Sequence, residues 1–149
     1  MELNTKLFGK INVDEEKIIT FDNGIIGFYD MKRFMLIHDS EQEGKAITWL
    51  QSIDEPEFAM PVINPLLVDN TYDPVIEDEL LSGLGEIKED ELLVLVTITV
   101  PKEIEKMTCN MAAPIVINAG NRKACQVITE GNTYLVKYPV YDILKKGKE

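Results

Sequence analysis

The stretch from Glu91 to Ile128 limits most what this chain can fold into. It opens with Glu91-Leu-Leu-Val-Leu-Val-Thr-Ile-Thr-Val-Pro101, a β-branched, apolar run with almost no charge. Lys106-Met-Thr-Cys-Asn-Met-Ala-Ala-Pro-Ile-Val-Ile-Asn118 follows a charged turn, and Arg122-Lys-Ala-Cys-Gln-Val-Ile128 follows the turn at Ala119-Gly-Asn121. Three strand-like runs punctuated by Pro, Gly and Asn predict an antiparallel meander. Side chains alternate between the two faces of a strand, so a first run apolar at nearly every position needs cover on both faces. The other two runs carry Asn110, Asn118, Arg122 and Gln126. Turn and ladder hydrogen bonding is the favoured account of such groups, ahead of a binding site.

The remainder of the chain extends the β pattern. Leu3 to Phe8 reads as a strand, with Gly9-Lys10 as a two-residue turn into Ile11-Asn-Val13. Lys17 to Phe21 is β-rich, and Gly24 and Gly27 supply a tight loop that packs Ile25, Ile26 and Phe28 inward. That loop lacks the glycine run and lysine of a phosphate loop. Tyr29 to Arg33 suggests a short helical turn before the strand Phe34 to His38, and Asp39 to Lys45 a polar turn before the strand Ala46 to Ser52. Pro61 and Pro65 argue for an edge position or a bulge in Phe58 to Pro65, which makes it a candidate docking edge. Glu77 to Gly85 is the one clear helix, with acidic residues in its first turn and Leu80, Leu81 and Leu84 as an apolar stripe. Thr129 to Thr133 is a hairpin-like turn, and residues 140–149 form a tail expected to fray. The fold class is therefore mainly β and antiparallel, one domain over residues 1–149 with one or two short helices.

Several chemistries are disfavoured by the totals. The 149 residues suffice for one core, and a hydrophobic share of 45% lies outside the disordered class. No run of ~18 apolar residues is present to cross a membrane as a helix. The N-terminus lacks the basic and apolar regions of a secretory signal, so a cytoplasmic protein is expected. Cys109 and Cys125 fit a reducing compartment, lie on neighbouring predicted strands and are not expected to form a structural disulfide. With His38 as the one histidine and no Cys-x-x-Cys, a metal set or a catalytic triad has too few members, so no cofactor and no enzymatic activity are expected. Glu77 and Glu79 resemble a carboxylate pair, but a helix N-terminus stabilises carboxylates without any catalytic role.

Charge is unevenly spread. Residues 41–90 hold 13 acidic and 2 basic groups, in a chain of net charge −11. Such a block repels phosphate backbones and attracts a basic partner; the plainer reading is a solvated face.

Four segments together carry a family resemblance: Phe21-Asp-Asn-Gly-Ile-Ile-Gly-Phe28, Trp49-Leu-Gln-Ser-Ile-Asp-Glu-Pro-Glu-Phe-Ala-Met-Pro61, Lys106 to Asn118, and Asn121 to Ile128. In that order, within a match from Leu3 to Pro139, they resemble the flagellar assembly factor FliW family. The resemblance implies a small, barrel-like β domain that binds two partners in turn. One is flagellin. The other is CsrA, a dimeric RNA-binding protein that represses translation of flagellin messenger RNA. FliW freed by flagellin export captures CsrA, and translation resumes. Expected partner-contact positions are Trp49, Gln51, Asn110, Met111, Pro114, Asn118, Arg122 and Gln126, with Glu77, Asp78 and Glu79 acting through charge. On the residues alone, Trp49 reads first as a core anchor. The competing reading is a ligand-binding or enzymatic β-barrel with a polar site at Asn110, Asn118, Arg122 and Gln126.

Overall fold

A computed structural model describes residues 1–38, 47–76, 78–131 and 134–146. The strands are β1 (Glu2–Thr5), β2 (Gly9–Asn12), β3 (Ile19–Phe21), β4 (Arg33–His38), β5 (Ile47–Ser52), β6 (Ala59–Ile63), β7 (Leu92–Thr99), β8 (Thr108–Cys109), β9 (Ile115–Asn118), β10 (Lys123–Gln126) and β11 (Tyr138–Pro139). Short helices α1 (Pro65–Val68), α2 (Asp78–Leu81) and α3 (Tyr141–Lys146) lie among them. Seven strands close a barrel in the order β7-β6-β5-β4-β3-β10-β9, with β9 returning to β7. Every pairing in that ring is antiparallel except β3 with β10, where Thr20 lies opposite Lys123.

Side-chain alternation sorts the apolar runs into an inside and an outside. Phe21, Phe34, Leu50, Val62, Leu95, Ile115 and Ile117 fill the barrel interior, with Phe21 and Phe34 edge-to-face at 5.3 Å between centroids. The intervening residues face outward and are covered too. Val96 and Ile98 of β7 pack with Val68 of α1, Tyr72, Met111 and Val140, and α3 lays Ile143 and Leu144 against that cluster. Val116 of β9 packs with Leu84 and Val127 beneath the α2 segment. The expectation of cover on both faces thus holds for the middle of β7, and β9 is buried along its whole length.

The predicted meander is present as β7-β9-β10, but its second run is split. Asn110 to Pro114 leave the ladder between β8 and β9, both of which pair with β7. Cys109 and Cys125 consequently fall on strands that do not adjoin.

Other local expectations shift for identifiable reasons. The first turn occupies Lys6 to Phe8, ahead of Gly9, because the Thr5 hydroxyl accepts from the Phe8 N–H at 2.9 Å and donates to the Gly9 carbonyl at 2.8 Å. Ile25 is buried as expected, whereas Ile26 and Phe28 are 43% and 39% exposed. Tyr29 to Met31 form no helical turn. The supposed docking edge is an interior strand, since β6 pairs with both β5 and β7. Its Pro61 is tolerated because the β6–β7 ladder begins one residue later, at Val62. The tail expected to fray is helical through Lys146, held by its apolar contacts. The polar turn at Asp39 to Lys45 lies outside the described residues.

Candidate functional site: polar latch and aromatic groove

The residues singled out from sequence do not form one site. Gln51, Met111, Pro114 and Asn118 are buried, Trp49, Asn110 and Gln126 half-buried, and Arg122 exposed. Asn118 lies opposite Leu92 at the start of β7, whereas the Asn110 N–H donates to the Thr97 carbonyl towards its other end. The four polar residues of the expected small-ligand site therefore do not converge.

Their amides serve the fold instead. Asn118 Nδ2 donates to the carbonyls of Leu84 and Glu86 at 2.9 and 3.1 Å, and its Oδ1 accepts from the Gly120 N–H at 3.0 Å. Asn121 Nδ2 donates to the same Leu84 carbonyl at 2.8 Å. Together they tie the end of the α2 segment to the β9–β10 turn. Gln126 Oε1 accepts from the Ile26 N–H at 2.9 Å, 100 residues away in sequence, and its Nε2 donates to the Ala113 carbonyl at 3.0 Å, so that one side chain joins two loops. Asn110 Oδ1 accepts from Ala112. Arg122 adopts φ +60, a left-handed conformation that closes the turn by an N–H donated to the Asn118 carbonyl.

Trp49 projects from the outer wall of β5 and meets Phe8 of the N-terminal hairpin edge-on at 5.9 Å. Gln51, on the same outer side, is covered completely: its Nε2 lies at 2.9 to 3.0 Å from the carbonyls of Ser52, Pro56 and Phe58. A second tie braces this loop. Asp54 accepts from the N–H groups of Lys32 and Arg33 and from Arg33 Nε at 2.9 to 3.0 Å. Burial alone raises the Asp54 pKa, but these hydrogen bonds and the Arg33 charge outweigh it and hold the group below its ordinary range.

Those braces shape a feature that sequence reading missed. The loops 22–31 and 53–58 enclose a groove of about 660 Å³ lined by Phe28, Tyr29 and Phe58, with Asp30, Glu55 and Glu57 along it. Phe28 and Phe58 stand 4.6 Å apart between centroids, and Tyr29 is 62% exposed. Gly24, at φ +69, lets the loop fold so closely that a Cβ there would meet the Tyr29 carbonyl oxygen at 2.6 Å. The signal in sequence was an aromatic pair beside acids in a glycine loop, which periodicity reads as inward packing.

The middle-third acids are divided by the fold. Glu55 and Glu57 lie at the groove, whereas Asp78 and Glu79 are exposed on α2, outside the β9–β10 wall. Glu77 lies outside the described residues. Among the described residues, no group of three or more His, Cys, Asp or Glu side chains is placed to hold a metal ion. Burial pushes the Cys109 thiol up to about 11 and raises Cys125 as well, so neither is an activated nucleophile. No helix among the described residues is long and apolar enough to cross a membrane.

Comparison with known proteins is consistent across sequence and structure. The family model described as FliW protein matches residues 2–140. The flagellar assembly factor FliW of Lachnospira eligens is 52% identical over 148 residues, covering 98% of each chain. That of Lachnoclostridium phytofermentans is 51% identical over 143 residues, covering 95% of this chain and 92% of its own. A crystal structure of the flagellar assembly factor FliW superposes with a TM-score of 0.83 at 31% identity, covering 94% of this chain and 96% of the other.

Proposed function

Because this chain belongs to the FliW family, we propose that it is a non-catalytic regulatory binding protein that alternates between flagellin and the translational repressor CsrA in the cytoplasm. Released by flagellin, it binds CsrA and relieves repression of flagellin messenger RNA, which supports flagellar assembly. The observation that carries this reading is a barrel filled by its own side chains and wrapped in a net charge of −11. A filled barrel offers no interior ligand cavity, so recognition falls to the surface. An acidic surface suits a partner that must itself be basic to bind RNA.

The physical mechanism of antagonism is electrostatic. An acidic protein docked beside an RNA-binding surface lowers RNA affinity by like-charge repulsion, even without covering the RNA site. Every phosphate that the repressor no longer neutralises weakens RNA binding in a salt-dependent way, so the antagonism fades as salt rises. Asp78 and Glu79, exposed on α2, and the neighbouring Glu77 are assigned to this role.

Calorimetric titration against flagellin and CsrA of the same organism tests the reading. Separate complexes with each, and loss of the CsrA complex when flagellin is added, are expected; binding to neither overturns it. Neutralising Glu77, Asp78 and Glu79 together is expected to blunt RNA displacement, and unchanged displacement would remove the electrostatic mechanism.

A further inference from the structure

The groove between loops 22–31 and 53–58 has two properties that are rarely combined by accident. Its wall exposes aromatic faces to solvent, and three carboxylates stand along it. Phe28, 39% exposed, and Tyr29, 62% exposed, stand together with Phe58 as one aromatic surface rather than singly. Asp30, Glu55 and Glu57 make no ion pair with the described cations. Two neighbouring cations are otherwise placed: Arg33 is held by Asp54 at 2.9 Å, and Lys6 lines an adjoining depression that shares Glu57. Like charges gathered in this way repel one another, and a bound cation relieves that repulsion.

The groove is also held ready. Gln51 fastens Ser52, Pro56 and Phe58 from beneath, Asp54 fastens Lys32 and Arg33, and Gln126 holds Ile26. Both walls are thus set by internal hydrogen bonds, so little ordering entropy is lost when something docks. Aromatic faces beside carboxylates suit a guanidinium better than an ammonium. Arginine is planar and weakly hydrated, stacks on rings and bonds carboxylates in a fork. The volume of about 660 Å³ admits a side chain with its flanking backbone.

We propose that this groove is a docking site for an arginine-bearing basic segment of a partner protein, with the guanidinium between the Phe28, Tyr29 and Phe58 rings and the Asp30, Glu55 and Glu57 carboxylates. The assignment rests on the reading of the chain as a surface-binding protein for basic partners. It adds a second contact region, separate from the acids of α2.

The test is an NMR titration of the isotopically labelled full chain with an acetylated, amidated Gly-Arg-Gly-Arg-Gly pentapeptide and its citrulline counterpart. Amide shifts confined to residues 27–31 and 55–58 are expected with the arginine peptide only. The triple variant Asp30→Asn, Glu55→Gln, Glu57→Gln is expected to weaken binding about tenfold or more, and Tyr29→Ala about threefold. All four side chains are exposed, so these variants retain the fold, which the rest of the spectrum verifies. Equal binding of the citrulline peptide, unchanged binding by the triple variant, or shifts centred on Asp78 and Glu79 would each overturn the proposal. The outcome is independent of the whole-partner calorimetry. Complexes with flagellin and CsrA that form normally in the triple variant would leave the partner reading standing and restrict the groove to other basic segments.

Discussion

The β9–β10 latch and the groove at loops 22–31 and 53–58 both concentrate polar side chains, and they use them in opposite ways. In the latch, Asn118, Asn121 and Gln126 each give both ends of the amide to backbone groups. In the groove, carboxylates stand beside exposed rings with no described cation paired to them. Amides suit the first task because each carries a donor and an acceptor and no charge to desolvate. Carboxylates suit the second because, unpaired at the surface, they keep their hydration. A polar motif residue in this fold is therefore better judged by whether its bonds are already made than by its place in the sequence.

The comparison breaks most visibly at Asn118. Asn118→Asp turns a buried donor facing two carbonyls into an acceptor, with a loss of about 3–5 kcal/mol expected in denaturant melts. A smaller loss is expected from Gly24→Ala. The added Cβ meets the Tyr29 backbone and the left-handed conformation is strained, together about 1–3 kcal/mol by thermal unfolding, with the groove wall displaced. Asp54→Asn sharpens the contrast, because Asp54 is a carboxylate used as the latch uses amides. A loss of about 1–2 kcal/mol is expected at neutral pH. Its folded pKa is depressed, so the stabilisation is whole above the ordinary value of 3.8 and is lost as the pH falls through the lower folded value. In urea melts parent and variant should therefore begin to draw together as the pH falls below about 4, and converge only below the depressed folded value. The smallest effect belongs to the groove: Glu55→Gln with Glu57→Gln should leave stability within about 0.5 kcal/mol while changing peptide binding.

Periodicity made most of the barrel legible. Leu93 to Ile98 announced a strand covered on both faces, and Leu84 with Gly85 announced the end of the α2 segment. What stayed hidden depended on partners distant in sequence. Pro61 signalled an edge, yet β6 is interior because its ladder with β7 starts past the proline. Ile26 and Phe28 signalled a core, yet the loop tip is held outward by Gln126, a residue that no local pattern links to it. Gln51 gave no local hint of total burial; its Nε2 is met by the carbonyls of Ser52, Pro56 and Phe58, and the Lys6 N–H of the N-terminal hairpin donates to the same Pro56 carbonyl. The family motif drew attention to Asn118 and Gln126 without fixing their roles, since a fold-holding amide and a contact amide look alike in one sequence.

The parallel seam between β3 and β10 has a consequence in time. Thr20 must wait for Lys123, about a hundred residues later, before the ring can close. At ~5–20 residues per second, a ribosome takes roughly 5–20 s to supply that stretch. The groove waits as well, because the Ile26 loop is pinned by Gln126. During synthesis the emerging N-terminal half can pair β1 with β2 and form the β3-β4-β5-β6 meander, but the β3 edge stays open until β10 leaves the ribosome. A chain terminated before Lys123 therefore lacks both the strand that closes the barrel and the Gln126 tie of the Ile26 loop.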